Sequence, residues 1–274
     1  MIFKRFLENI KQRQHPFAAP TPGTLAFQCN ICGQMSAVHM AALQRETHSC
    51  LACGSTLRWR SIIHLLSQTL FGRSIPHPDF PLRPDITGLG MSDWEGYALP
   101  LARKLNYQNT FYHQPPHLDI TRLDSNLVGT CDFVISTEVF EHIAPPVGLA
   151  FQNVWRLLKP GGSFILTVPY LKTGVTEEHF PHLHEYTLEP TSSGYILKNR
   201  TREGTLETFE DLVFHDGPGT TLEMRSFTEP SLLEELRKAG FGAIEVHQEP
   251  HFVHGIYWNQ DYNLPITARR EGAS

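Results

Sequence analysis

Two short apolar segments, "CDFVIS" from Cys131 and "SFILTVPY" from Ser163, bracket the stretch "PPVGLAFQNVWRLLKPGG", in which prolines open a helix and glycines close it. The same order occurs upstream. "DITGLGMSDW" reads as a strand breaking into a glycine-containing loop, "EGYALPLARKL" as a helix with Pro100 as either a kink or a late start, and "YQNTFYH" as a strand. Such alternation predicts a parallel sheet with helices on both faces, whose ligands sit at the carboxyl ends of the strands. "VISTEVFEH" sets Glu138, Glu141 and His142 at one of those ends.

The 274 residues suffice for one large domain, or for one domain and a small module. Hydrophobic residues at 41% and charged residues at 19% fit an ordinary globular chain rather than a disordered or fibrous one. No apolar run reaches the roughly 20 residues of a membrane span, and the N-terminus lacks a signal-peptide pattern, so a cytoplasmic location is expected. A net charge of -5 offers no global attraction to nucleic acid. Residues 1–24 form an amphipathic segment with Ile2, Phe3, Phe6, Leu7 and Ile10 on one helical face, suited to docking on the protein or a partner, or to peripheral membrane contact.

Four of the five cysteines form two knuckles, Cys29/Cys32 and Cys50/Cys53, each C-x2-C and each followed by glycine. The spacing matches a tetrahedral zinc site, because a tight turn points both thiolates of a knuckle the same way. Disulfides and a redox pair are the alternatives. Four thiolates close the coordination sphere, so the ion expected here is structural. Residues 25–72 thus read as a zinc ribbon with a connecting helix that places Trp59, Ile62, Ile63, Leu66 and Leu70 on one face. A proline-rich linker over 73–84 follows, and then a main domain over 85–274. Within that domain, about 187–227 reads as an insertion containing a β-hairpin around "REG", a lid or substrate platform beside the strand ends.

The pieces "CDFVISTEVFEHI", "VWRLLKPGGSFILTVPY" and "LLEELRKAGF" resemble class I S-adenosylmethionine-dependent methyltransferases across roughly Asp85 to His247. The upstream knuckle pair is similar to a bacterial subgroup associated with surface-polysaccharide synthesis. The resemblance implies an α/β, Rossmann-like fold and S-adenosylmethionine as cofactor. It implies that Gly88 and Gly90 form the glycine loop after the first strand, that Asp119 accepts the adenine amino group, and that Thr137 and Glu138 flank the cofactor. The family's ribose-binding acid is missing from "YQNTFYHQPPH", so either Thr110, Tyr112 or His113 substitutes for it or another segment holds the ribose, and the segment up to Asp119 is too short for a complete helix and third strand.

The expected reaction is methyl transfer to a small or carbohydrate-linked acceptor at oxygen. An RNA methyltransferase with Arg45, Arg58 and Arg60 as a basic face, and a non-catalytic binding protein, are the alternatives. An oxygen acceptor must lose a proton, and histidine is suited to take it near neutral pH. His142 is one candidate, sharing a helical face with Glu138 if the turn continues as a helix, against the bland reading of a cap or salt bridge. His179 and His182, in a loop with Glu177, Glu178, His184 and Glu185, are the others, with metal binding or loop anchoring as alternatives there. Glu223 and Arg225 would face one side of a strand and pair with each other, or line the acceptor pocket.

Overall fold

The computed structural model describes residues 22–215 and 217–272. The expected amphipathic segment, with its proposed membrane contact, lies almost wholly outside the described residues. Among those described, no helix is long and apolar enough to cross a membrane.

The cysteine region is built on a hairpin. Strand β1 (Thr24–Gln28) pairs antiparallel with β2 (Met35–His39), and the first knuckle forms their turn. Gly33 and Gly54 hold φ of 77° and 72° and donate their N–H groups to the carbonyls of Cys29 and Cys50, so both knuckles close by one mechanism. Helix α1 (Leu57–Phe71) starts where the Thr56 side chain accepts the Trp59 N–H, and stops at left-handed Gly72. Most of its first three turns is buried, including Ile62, Ile63, Leu65 and Leu66. A helix enclosed this fully cannot be an exposed connector. The following "linker" is also packed, with His77 and Phe80 buried around a short 3-10 turn.

The sheet is formed by β3 (Arg83–Met91), β4 (Leu105–Thr110), β5 (Cys131–Thr137) and β6 (Leu158–Thr167), with helix α2 (Glu95–Ala102) joining the first two and α3 (Gly148–Leu157) the last two. Pro100 sits in the last turn of α2 and does not delay its start. After β6 come β7 (Tyr170–Leu171), β8 (Glu177–Glu178), β9 (Glu185–Thr191), β10 (Gly194–Arg200), β11 (Leu206–Phe209), β12 (Phe214–His215), β13 (Thr221–Leu222) and β14 (Arg225–Thr228). Helix α4 (Glu229–Lys238), β15 (Gly242–Val246) and β16 (Ile266–Arg269) complete the described chain.

The six-stranded order is β15-β16-β6-β5-β3-β4, with β3 to β6 parallel and β16 antiparallel to both neighbours. Successive side chains of a strand point to opposite faces, which sorts the core in two. Val134, Phe164 and Leu166 pack with Ala150, Phe151, Leu232 and Leu236 of α3 and α4. Phe133, Ile135 and Ile165 pack with Ile62, Ile63, Tyr97 and Leu101 of α1 and α2, and Cys29 and Cys50 belong to that same cluster. The cysteine region and the sheet therefore share one core. Between β4 and β5 lies no α-helix or strand, as the short segment implied.

The insertion is a three-stranded antiparallel sheet, β11-β10-β9, whose β10–β11 hairpin turns at the predicted "REG". It has its own small core of Phe180, Leu197, Leu222 and Met224. Strand β14 ties it to the body by pairing with both β7 and β8.

Candidate active site

The carboxyl end of β3 differs from the expected glycine loop. Gly88 and Gly90 lie within the strand, in register with both neighbours, and neither has a positive φ. Their missing side chains make room for rings instead. A Cβ on Gly88 would fall 2.0 Å from the Phe133 ring, and one on Gly90 would fall 1.9 Å from the Tyr107 hydroxyl. The loop proper is Ser92, Asp93 and Trp94, with Ser92 at φ 56°.

Asp93 is the hub of this end. Its carboxylate accepts the Tyr107 hydroxyl and lies 3.5 Å from Thr137 Oγ1, while its backbone exchanges two hydrogen bonds with the Asn109 side chain. Burial pushes its carboxyl up to about 7 against the hydrogen bond from Tyr107. Trp94 stacks on Trp59 of α1 at 4.1 Å, fastening the loop to the helix beneath. Thr110, a candidate replacement for the ribose acid, gives its hydroxyl to the Gly90 carbonyl, whereas Tyr112 and His113 are exposed. Asp119 holds a local turn, accepting the N–H and hydroxyl of Thr121 on Oδ1.

Glu138, immediately after β5, adopts φ 56° and donates its N–H to Thr167. Its carboxylate is gripped by Arg45, which lies between the two knuckles, with Nη2 and Nη1 at 2.6 and 3.1 Å. Arg58 Nε stands 4.0 Å away, and Nε and Nη2 of Arg58 each donate a hydrogen bond to Glu46, which also pairs with Arg45. Burial alone would raise the Glu138 carboxyl, but the two guanidiniums outweigh it and hold it below its ordinary value. Arg60 is fully buried and donates to Ser49, Ser55, His254 and Gly255. All three arginines are thus paired inside the protein, which counts against their forming the basic face that the RNA reading requires.

The left-handed Glu138 and the short 3-10 turn Phe140–His142 mean that β5 does not run directly into an α-helix, so Glu138 and His142 do not share a helical face. Glu141 is instead folded inward, 1% exposed, with both carboxylate oxygens unpartnered, and burial drives its carboxyl well above the usual range. His142 Nδ1 lies 2.9 Å from the Leu222 carbonyl, which can only accept, so the proton sits on Nδ1 and Nε2 keeps a lone pair. Burial also lowers the affinity of His142 for a second proton.

His142 meets His215 edge-on, with ring centroids 4.6 Å apart. Glu223 accepts Nε2–H of both His179 and His215, at 3.0 and 3.1 Å. Glu223 and Arg225 consequently do not pair, since Arg225 binds Glu178 through two hydrogen bonds and the Phe140 carbonyl through a third. His182 is exposed and outside this cluster, offering only its backbone carbonyl to Asn199, and His184 is exposed too. His215 and the role of Glu223 escaped the sequence reading, because "VFHDGPG" lies some seventy residues from "FEH" and no spacing rule connects them.

The four knuckle cysteines converge. Sγ of Cys29 and Cys53 are 3.8 Å apart, and those of Cys32 and Cys50 are 3.7 Å apart. A disulfide needs about 2.05 Å, whereas a tetrahedron of metal–sulfur bonds of about 2.3 Å has edges of about 3.8 Å. Ser55 and Ser36 hydroxyls approach Cys29 and Cys50 at 3.2 and 3.5 Å. These residues fit a closed thiolate site.

The sheet, with one antiparallel strand slotted between β6 and β15 and a site at the parallel strands' carboxyl ends, is the Rossmann-like methyltransferase fold. Residues 92–166, from the loop after β3 to the end of β6, match the family described as "Methyltransferase domain". No curated protein matches the chain. Similar solved structures include 1,6-didemethyltoxoflavin-N1-methyltransferase from Burkholderia thailandensis, 17% identical over 77% of this chain and 79% of that one, with a TM-score of 0.41. An amino pentose methyltransferase from Micromonospora echinaspora is 14% identical over 79% and 92%, with a TM-score of 0.42. A sugar N-methyltransferase from Streptoalloteichus is 11% identical over 78% and 86%, with a TM-score of 0.44.

Proposed function

We propose that the protein transfers a methyl group from S-adenosylmethionine to an oxygen of a hydroxylated small molecule or carbohydrate-linked acceptor. The observation that carries this reading is the convergence of three histidines and two carboxylates beside the β5 end, each imidazole held in one tautomer with a lone pair to spare. The residues at the strand ends fit the cofactor. Ser136 Oγ and Thr167 Oγ1 are buried there without partners, and Glu138 with Arg45 offers an acceptor and a donor matched to the ammonium and carboxylate of a zwitterionic methionine. Thr137 and the Ser92–Trp94 loop flank the same place, and Asp119 remains the candidate for the adenine. When bound, S-adenosylmethionine supplies an activated methyl group on a good leaving group.

The chain's own work is then positioning, exclusion of water and removal of one proton. His179, its Nε2–H fixed on Glu223, presents Nδ1 as the base, and His142 with Glu141 faces the acceptor oxygen. A cavity of about 610 Å³, lined by Tyr195, Glu210, Phe214, Gly217 and Pro218, opens in the insertion, but none of the clustered histidines or carboxylates lines it. The thiolate site holds zinc in a structural role. Calorimetric titration with S-adenosylmethionine, followed by radiolabelled methyl transfer to cell extracts with wild type and His179→Ala, tests the reading. Absence of cofactor binding sinks it, and equal labelling by both proteins removes His179 from the chemistry.

A further inference from the structure

The geometry points to a second metal site, distinct from the four cysteines, in which Glu141, His142 and His215 bind a divalent transition metal beside the acceptor.

One donor atom from each of these three residues lies within 4.8 Å of the other two. The set, two imidazoles and one carboxylate, suits Zn²⁺, Mn²⁺, Fe²⁺ or Co²⁺, and leaves coordination positions open for an acceptor oxygen. Proximity is not the main argument. Glu141 is 1% exposed and neither carboxylate oxygen has a hydrogen-bond partner, a costly arrangement unless something else satisfies it. The other side chains of the cluster cannot do so. Arg225 is committed to Glu178 and Phe140, His142 gives its only N–H to Leu222, and His215 gives one to Glu223. Neither Glu141 nor Glu223 pairs with a lysine or arginine among the described residues. Histidines are thus the only basic side chains paired with these two acids among the described residues, the closest to Glu141 being His142 Nε2 at 3.6 Å.

The surrounding hydrogen bonds are those a metal site requires. A metal-bound histidine donates its other N–H to a backbone carbonyl or carboxylate, which orients the ring and directs the lone pair. His142 uses the Leu222 carbonyl, leaving Nε2, and His215 uses Glu223, leaving Nδ1. The ligands also come from separate parts of the chain, Glu141 and His142 from the turn after β5 and His215 from β12 of the insertion. An ion here would pin the insertion onto the strand ends. It would also lower the pKa of a bound hydroxyl, so that His179 receives a proton already made acidic. This deepens the oxygen-methylation reading and rests on it for the role of the ion, though not for its binding.

Mn²⁺ is the discriminating probe, because oxygen and nitrogen ligands accept it while thiolates select softer ions. Electron paramagnetic resonance of free Mn²⁺, titrated with the full chain, should show one saturable site. His215→Ala and Glu141→Gln should each weaken it more than about 100-fold, and Glu223→Ala, which alters only the support of His215, by about 10- to 100-fold. Cys50→Ser should leave the Mn²⁺ stoichiometry unchanged. Far-UV circular dichroism confirms that the variants are folded, and His215→Ala, on the half-exposed insertion, keeps the test open should Glu141→Gln fail to fold. Calorimetry with S-adenosylmethionine should be the same for His215→Ala and wild type, which separates failure of this site from failure of the methyltransferase reading. No saturable Mn²⁺ or Co²⁺ binding beyond the thiolates, or binding indifferent to His215→Ala, overturns the proposal.

Discussion

Replacing Arg45 by alanine tests how the cysteine region serves the sheet. The substitution removes both short hydrogen bonds to Glu138 and one from Nε to the Asn263 carbonyl. Glu138 cannot escape to water, because its side chain is 22% exposed and its backbone is fixed in the left-handed region. Breaking one side of a fully buried ion pair costs about 3–5 kcal/mol, since the remaining charge is stranded. Partial exposure, and Arg58 at 4.0 Å, reduce this to about 2–3 kcal/mol at neutral pH. For a chain of this size that lowers Tm by roughly 4–8 °C.

The pH dependence gives a second reading of the same interaction. Glu138 is held below its ordinary value when folded, so its contribution is present above about pH 4.3 and is lost as pH falls through the lower, folded value. Urea unfolding of wild type and Arg45→Ala should therefore differ at pH 7 and converge in acid. A double-mutant cycle with Glu138→Gln isolates the pair from the Asn263 contact. A difference below about 0.5 kcal/mol at pH 7, the size of an ordinary surface change, or one that persists unchanged in acid, would refute the reasoning.

Cys50→Ser should abolish tight zinc binding by metal analysis and destabilise the chain by more than about 4 kcal/mol in urea, the range associated with loss of a structural metal. Gly90→Ala, which aims a Cβ at the Tyr107 hydroxyl, should cost about 1–3 kcal/mol by the same assay, whereas a true loop glycine would tolerate the change at lower cost. Asp93 has the opposite pH signature to Glu138. Its folded value of about 7 lies above its unfolded one, so its contribution is complete below about pH 3.9 and is lost as pH rises through 7, with a slope approaching about 1.4 kcal/mol per unit. Asp93→Asn should flatten that part of the profile, measured as urea stability against pH.

The sheet was legible because its signals are local. The apolar runs at Cys131 and Ser163, the helix between them and the C-x2-C spacing are each written within about twenty residues. Strand β16 was not anticipated, because its four residues gain their burial from insertion between β6 and β15, a purely tertiary arrangement. Gly88 and Gly90 were misplaced for a related reason. A G-x-G pair after an apolar start signals a loop, but it equally suits a strand whose neighbours carry Phe133 and Tyr107 pointing at it. His182 looked as suggestive as His179 because a loop has no periodicity from which to read direction. Only the position of Glu223, forty-four residues away, separates them.

A zinc ion on the four cysteines, as proposed, would also serve the site from a distance. Four thiolates leave an ion no open position for chemistry, but the segment between the knuckles carries Arg45, and that side chain reaches the carboxyl end of β5. Arg60 ties the second knuckle to the turn at His254 and Gly255, while the His254 ring lies 3.0 Å from the Gln28 carbonyl at the end of β1. Binding of a structural zinc ion is worth about 10–16 kcal/mol in small zinc modules, far more than one ion pair. It can therefore fix the backbone from which Arg45 extends and hold Glu138 in a left-handed conformation that would otherwise relax. If so, mild chelation should weaken S-adenosylmethionine binding before the main sheet unfolds. A cofactor affinity that stays constant until global unfolding would show that the sheet orders Glu138 by itself.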